Sequence, residues 1–137
     1  YLDEPLLPGD KVVIETPFFV KLPGGFSRLG HVGESYQVTQ WFPKPAVYDK
    51  NGWNPIPYLD QGEFYSEFGS YDVSITVPAN YVVAATGNLL DGEERAWLDQ
   101  KAIQASDSAY SPDDGFPPSD TVFKTLHYSV ENVHDFA

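Results

Sequence analysis

Apolar and polar positions alternate along short stretches of the chain, each closed by proline or glycine, which is the pattern of an antiparallel β protein. Over residues 11–22 the even positions are Val12, Ile14, Thr16, Phe18, Val20 and Leu22; the odd ones are Lys11, Val13, Glu15, Pro17, Phe19 and Lys21. One apolar and one mixed face predict a half-buried strand, in which Pro17 marks an edge, bulge or break because it has no N–H to donate. Pro23, Gly24 and Gly25 then turn the chain. A second strand is expected over residues 35–42, with Tyr36, Val38 and Phe42 in alternation. Prolines 43, 45, 55 and 57 with Gly52 exclude a long helix or a central strand over residues 43–60, which read as an ordered, aromatic-rich excursion with Asp49, Lys50, Asn51 and Gly52 as a tight turn.

The clearest strand is residues 69–78, where Tyr71, Val73, Ile75 and Val77 point one way and Asp72, Ser74 and Thr76 the other. Residues 81–86 are almost wholly apolar, as in a strand buried on both faces. The pattern then changes. Asp91 and Glu94 have capping-box spacing, and strong helix formers follow, predicting one short helix near 93–104 anchored by Trp97. Residues 106–120 are loop in composition. Residues 121–130 form a last strand, with Val122, Leu126, Tyr128 and Val130 on one face. The expected fold is mainly β: an antiparallel sandwich or saddle-like sheet with one helix.

The length of 137 residues suits a single domain over 1–137. Eight basic against 20 acidic residues give a formal charge of −12. That balance excludes a general nucleic-acid binder and an anionic membrane surface as partners. No apolar run reaches the ~20 residues of a spanning helix, so membrane insertion is not expected. With no cysteine there are no disulfides, thiolate metal sites or cysteine nucleophiles. The start at Tyr1 and the apolar close at Phe136 and Ala137 suggest a processed or excised piece of a longer protein.

Candidate chemistry is sparse. The three histidines, His31, His127 and His134, have no metal-ligand spacing, and the last two are seven positions apart, an odd spacing that puts them on opposite faces of a strand. No Gly-x-Ser-x-Gly elbow is present. Asp60, Glu63, Glu67 and Asp72 read as solvated charges rather than a paired-carboxylate site, and Asp49-x-Asn51-Gly52 lacks the later ligands of a calcium loop. Aromatics are dense between Tyr36 and Tyr71, including Trp41, Phe42, Tyr48, Trp53, Tyr58, Phe64, Tyr65 and Phe68. They fit a sugar-stacking platform, a core, or a face covered by another domain.

A longer pattern runs through the same region. Thr39-Gln40-Trp41-Phe42-Pro43-Lys44-Pro45-Ala46-Val47-Tyr48-Asp49 is followed by Gly52-Trp53 and by Gly62-Glu63-Phe64-Tyr65-Ser66-Glu67-Phe68-Gly69. Tyr71-Asp72-Val73-Ser74-Ile75-Thr76-Val77-Pro78 and Tyr81-Val82-Val83-Ala84-Ala85-Thr86-Gly87 complete it. This resembles the N-terminal β domain of zinc metallopeptidases of the aminopeptidase N family, in a bacterial branch. Residues 130–137 resemble the junction with the catalytic domain. The resemblance implies a non-catalytic segment that packs on a catalytic domain and shapes its peptide cleft. It also implies zinc held by a His-Glu-x-x-His motif that this chain does not contain, and a cell-envelope or secreted location. The family's substrate motif is absent too. One position carries over: Gln40, in the Ser/Thr-Gln pair that lies near the substrate end of the cleft. Where many members carry an acidic or amide residue two positions later, this chain has Phe42. The competing expectation is an aromatic-rich carbohydrate-binding or protein-interaction module.

Overall fold

A computed structural model describes residues 3–25, 27–57, 59, 61, 65–107 and 115–137. The fold is mainly antiparallel β with one helix. Two short hairpins come first: β1 (Gly30–Val32) with β2 (Ser35–Gln37), and β3 (Val47–Asp49) with β4 (Gly52–Asn54). A three-stranded sheet follows, built from β5 (Gly69–Pro78), β6 (Asn88–Leu89) and β7 (Phe123–Val133) in the order β5-β7-β6. The helix α1 (Gly92–Asp107) connects β6 to β7.

β5 is where sequence pattern and structure agree most closely. Tyr71, Val73, Ile75 and Val77 are half-buried, and Asp72, Ser74 and Thr76 between them are exposed. β7 pairs with it antiparallel, Val73 opposite Tyr128 and Ile75 opposite Leu126. Leu126, Tyr128 and Phe136 form the buried centre, with Trp41, Phe42, Tyr71, Val83 and Leu89 packed around them. Phe136 reaches that centre from a segment clipped along the sheet. The Thr86 N–H donates to the Ala137 carbonyl (2.8 Å), and the Trp41 indole N–H donates to the Phe136 carbonyl (3.1 Å). Phe136 is therefore a core residue, whereas Ala137 is exposed and contributes its backbone.

Several expectations are corrected. Residues 11–22 form no strand. They have no regular structure and are mostly exposed, with Val13 84% and Phe19 89% accessible. Alternation selects a face, but a strand also needs a neighbour to bond, and none lies beside this stretch among the described residues. The strand expected over 35–42 stops at Gln37, paired with Gly30 where β1 begins, and the φ of 53° at Gln40 breaks any extended continuation. Residues 81–86 pack on one side only. Val83 and Ala85 face the core, Val82 is 61% exposed, and the segment is held by the Tyr128 hydroxyl donating to the Val83 carbonyl (3.0 Å). Val122 is exposed and precedes β7 rather than sharing the face of Leu126. Of the loop expected over 106–120, residues 108–114 lie outside the described residues, and 115–120 are exposed without regular structure.

The turn at residues 49–52 forms as expected. Asp49 Oδ1 accepts from the Asn51 N–H (2.8 Å), and Gly52 takes φ 103°, the left-handed residue that closes a type I turn into a bulged hairpin. Gly87 is the tightest glycine. At φ 95° a Cβ there would lie 2.6 Å from the Ser129 carbonyl oxygen and 2.7 Å from Val130 Cβ, so β6 can approach β7 only over a glycine.

The helix is longer than expected and carries no apolar face, so it docks through polar contacts. The Asp91–Glu94 pair is used differently from a capping box: both carboxylates turn to β7. Glu94 accepts from Lys124 Nζ (2.6 Å), while Asp91 accepts from the His127 N–H (2.6 Å) and lies 3.1 Å from its ring Nδ1. These bonds from His127, backbone first and ring second, hold the Asp91 carboxyl below the usual carboxylate value. A depressed folded-state value contributes stability above the unfolded pKa of about 3.9 and loses it as pH falls through the folded value. Asp91→Asn should therefore flatten the fall of the thermal midpoint below about pH 4. Identical midpoint-against-pH curves for the two proteins would remove Asp91 from the account.

Candidate functional site

Residues 38–46 cross the apolar face of the sheet, tied down on both sides of Gln40. Before it, the Thr39 hydroxyl donates to the Arg28 carbonyl (2.6 Å). After it, Trp41 is fixed by its bond to Phe136, and the Phe42 ring meets Tyr71 edge-on at 5.7 Å. Lys44 then forms an ion pair with Asp135, both side chains about 85% covered. Burial, and secondarily the Asp135 charge, push the Tyr71 hydroxyl above its usual pKa.

Between these anchors Gln40 adopts φ 53°, a left-handed conformation that costs a non-glycine residue about 1 kcal/mol or more. It lines an open groove of about 400 Å³. Phe42, Lys44, Pro45 and Ala46 continue one wall, and Asn54, Pro55, Ile56 and Pro57 form the other, with Tyr65 beside them. The prolines give apolar surface without donors. Asn54 Nδ2 donates to the Val47 and Gly52 carbonyls (3.2 and 3.0 Å), which fixes the amide and leaves its oxygen as an acceptor. The half-buried Gln40 carboxamide has no hydrogen-bond partner among the described residues. The cation in the groove, Lys44, is neutralised by Asp135.

The groove thus offers neutral amides on an apolar floor. Its described lining contains no carboxylate, histidine or hydroxyl nucleophile of the Ser/Thr type, so it can hold a neutral extended segment and has no group to cleave one. Phe42, two positions after Gln40, is packed on Trp41 and Tyr71.

The other candidates are dispersed. Trp41 is part of the core surround, whereas Tyr48 and Trp53 face solvent as a cross-strand pair on the β3–β4 hairpin. Their rings meet at 64°, edge to face, and so do not make a coplanar stacking surface. Tyr58, Asp60, Glu63 and Phe64 lie outside the described residues, and Glu67 and Asp72 are exposed. His31 stacks on Tyr36, and His134 lies near Phe68. Among the described residues no three His, Asp or Glu side chains gather as a metal site would need, so no zinc chemistry is assigned to these residues.

Sequence reasoning missed two clusters. Pairing of β5 with β7 puts Ser74 directly across from His127, which contacts Asp91. The residue types match a hydrolase triad, but the cluster sits on an exposed sheet face, and Ser74 makes no hydrogen bond to His127. The second joins three distant segments: the Tyr81 hydroxyl donates to Glu34, and Ser119 lies 3.0 Å from both. Donation to the Glu34 carboxylate is the main reason the Tyr81 pKa is pushed up to about 12. It also holds Glu34 low. This cluster is a clamp that ties the β1–β2 hairpin to the sheet. No spacing rule would find either cluster: the first depends on the register of β5 and β7, the second on loops remote in sequence meeting beside the sheet.

No protein-family model, curated protein or solved structure matches the chain.

Proposed function

We propose that this chain is a non-catalytic N-terminal segment of a zinc-dependent aminopeptidase-like metallopeptidase, and that it packs on the catalytic domain and forms one wall of the peptide cleft. The observation that carries the proposal is Gln40. It is the residue singled out by resemblance to that family, and it combines a left-handed backbone, a carboxamide with no partner among the described residues and a place in the groove wall. Strain of this kind persists where surrounding structure enforces it, and it gathers at ligand sites. The apolar residues exposed along 11–22, among them Ile14 and Phe19, supply surface for a covering domain.

The partner in this reading is a catalytic domain with a His-Glu-x-x-His zinc site, and peptide reaches Gln40 through that partner. The reading frame that encodes the chain should therefore specify that motif within the next couple of hundred codons; a frame without it sinks the proposal. Gln40→Gly provides the biochemical test. In the chain alone, glycine accepts φ 53° freely, so stability should rise by about 0.5–1 kcal/mol in urea titration. In the assembled peptidase the same change removes the carboxamide and should lower kcat/KM for peptide. A stabilised variant with unchanged kcat/KM would separate the strain from the proposed role.

A further inference from the structure

The two edges of the main sheet are unequal. β6 has two residues, followed by the polar contacts of Asp91. β5 runs for ten residues as the other edge.

The direction of its backbone groups follows from β7. The His127 N–H and carbonyl face the β6 side, bonding Asp91 and the Leu90 N–H (2.6 and 2.8 Å). The neighbouring positions Leu126, Tyr128 and Val130 therefore face β5, and their partners Ile75, Val73 and Tyr71 use their own groups there. What remains are the N–H and C=O groups of Asp72, Ser74 and Thr76. They point outward from the sheet and have no backbone partner among the described residues. Between Ser70 and Val77 there is no proline, glycine or lysine to discourage pairing.

We propose that this edge pairs with β5 of a second copy of the chain, antiparallel about a two-fold axis at Ser74. β5 is complementary to itself in that register. Ser74 faces Ser74 and Asp72 faces Thr76, so the single charge of the strand meets a hydroxyl instead of its own copy. On the apolar face Tyr71 meets Val77 and Val73 meets Ile75, pairs of the aromatic–branched and branched–branched kind that stabilise sheets. All three outward residues lie in hydrogen-bonding positions on both strands. The interface is isologous and closes at two chains. Two chains of charge −12 repel, so added salt strengthens the dimer. The pairing uses the β5 backbone and not Gln40, so it and the proposed function stand or fall separately.

Sedimentation velocity on the full chain tests it. The expected result is a monomer–dimer equilibrium that shifts to dimer as salt rises. Two charge variants at exposed positions then fix the register. Thr76→Lys places an ammonium opposite Asp72 twice per dimer and should tighten Kd by roughly 2- to 30-fold. Ser74→Lys sets two ammonium groups face to face and should weaken it by roughly 2- to 5-fold, although both variants lower net negative charge equally. Should loss of the Thr76–Thr125 hydroxyl bond impair folding, Ser74→Glu leaves that bond in place: like Ser74→Lys it sets two like charges face to face and should weaken Kd, although the two variants change the net charge in opposite directions. A chain that stays monomeric at high salt and concentration overturns the proposal. So does a dimer whose Kd moves equally in both lysine variants, or in neither, since it would use another face.

Discussion

Phe136→Ala should cost about 3–5 kcal/mol, one of the two largest losses expected from single substitutions in this chain. The expectation rests on how small the buried centre is. Val47, Leu126, Tyr128 and Phe136 are the buried hydrophobic residues among those described, and Phe136 is 1% exposed. Its ring meets Tyr128 edge-on at 6.4 Å and Tyr71 at 6.2 Å. Truncation removes one of three residues at the centre and leaves a cavity with little neighbouring mass to collapse into it. Against a typical total of 5–15 kcal/mol for a domain, that loss unfolds a large fraction of the molecules. The Trp41 indole, bonded to the Phe136 carbonyl, reports on it, so urea titration followed by tryptophan fluorescence is the measurement. Phe136→Leu should lose distinctly less, because most of the volume stays. A loss below about 1 kcal/mol in Phe136→Ala would mean that this cluster is not the cooperative core.

The parts of this fold that were legible in the sequence are those where one local rule suffices. β5 alternates because one face is covered, and its neighbour can be anywhere on that side. α1 shows through helix propensity alone, which locates it but runs short of its last turn. Residues 11–22 show the limit of alternation: Val12, Ile14, Phe18 and Val20 share a face as cleanly as Tyr71, Val73 and Ile75 do, yet no described strand lies beside them. The apolar run 81–86 misled for a related reason. Composition alone cannot tell a two-faced strand from a segment lying along the core with Val82 outward.

The site was legible to a lesser degree. Resemblance singled out Gln40, but its left-handed backbone depends on anchors that converge from Arg28, Phe136 and Asp135. The groove wall opposite it comes from residues 54–57, past a hairpin whose turn was expected but whose position relative to Gln40 was not. Lys44 with Asp135, and Glu94 with Lys124, are pairs of remote residues that only the register of β7 and the path of the last segment bring together.

The second of those pairs holds the helix. A helix without an apolar face gains little from burial, and its half-buried Trp97 is covered by the ammonium of Lys124, 3.9 Å from the ring centroid. That ammonium also meets Glu94, a carboxylate 10% exposed. Lys124→Met should therefore do two things at once. It removes the cation–π contact, worth about 0.5–2 kcal/mol. It also leaves the Glu94 charge covered and unpaired, which costs about 3–5 kcal/mol for a mostly buried pair. Asp91, just before α1, is held to His127 as a second polar tie to the sheet, so the loss falls on the helix before the sheet. Far-UV circular dichroism should show helical signal melting well below the fluorescence transition of Trp41. Glu94→Leu on top of Lys124→Met removes the stranded charge and supplies apolar surface to Trp97, so the double variant should recover most of the lost stability. A single coincident transition in Lys124→Met, or a double variant no better than the single, would show that the ion pair does not hold α1 in place.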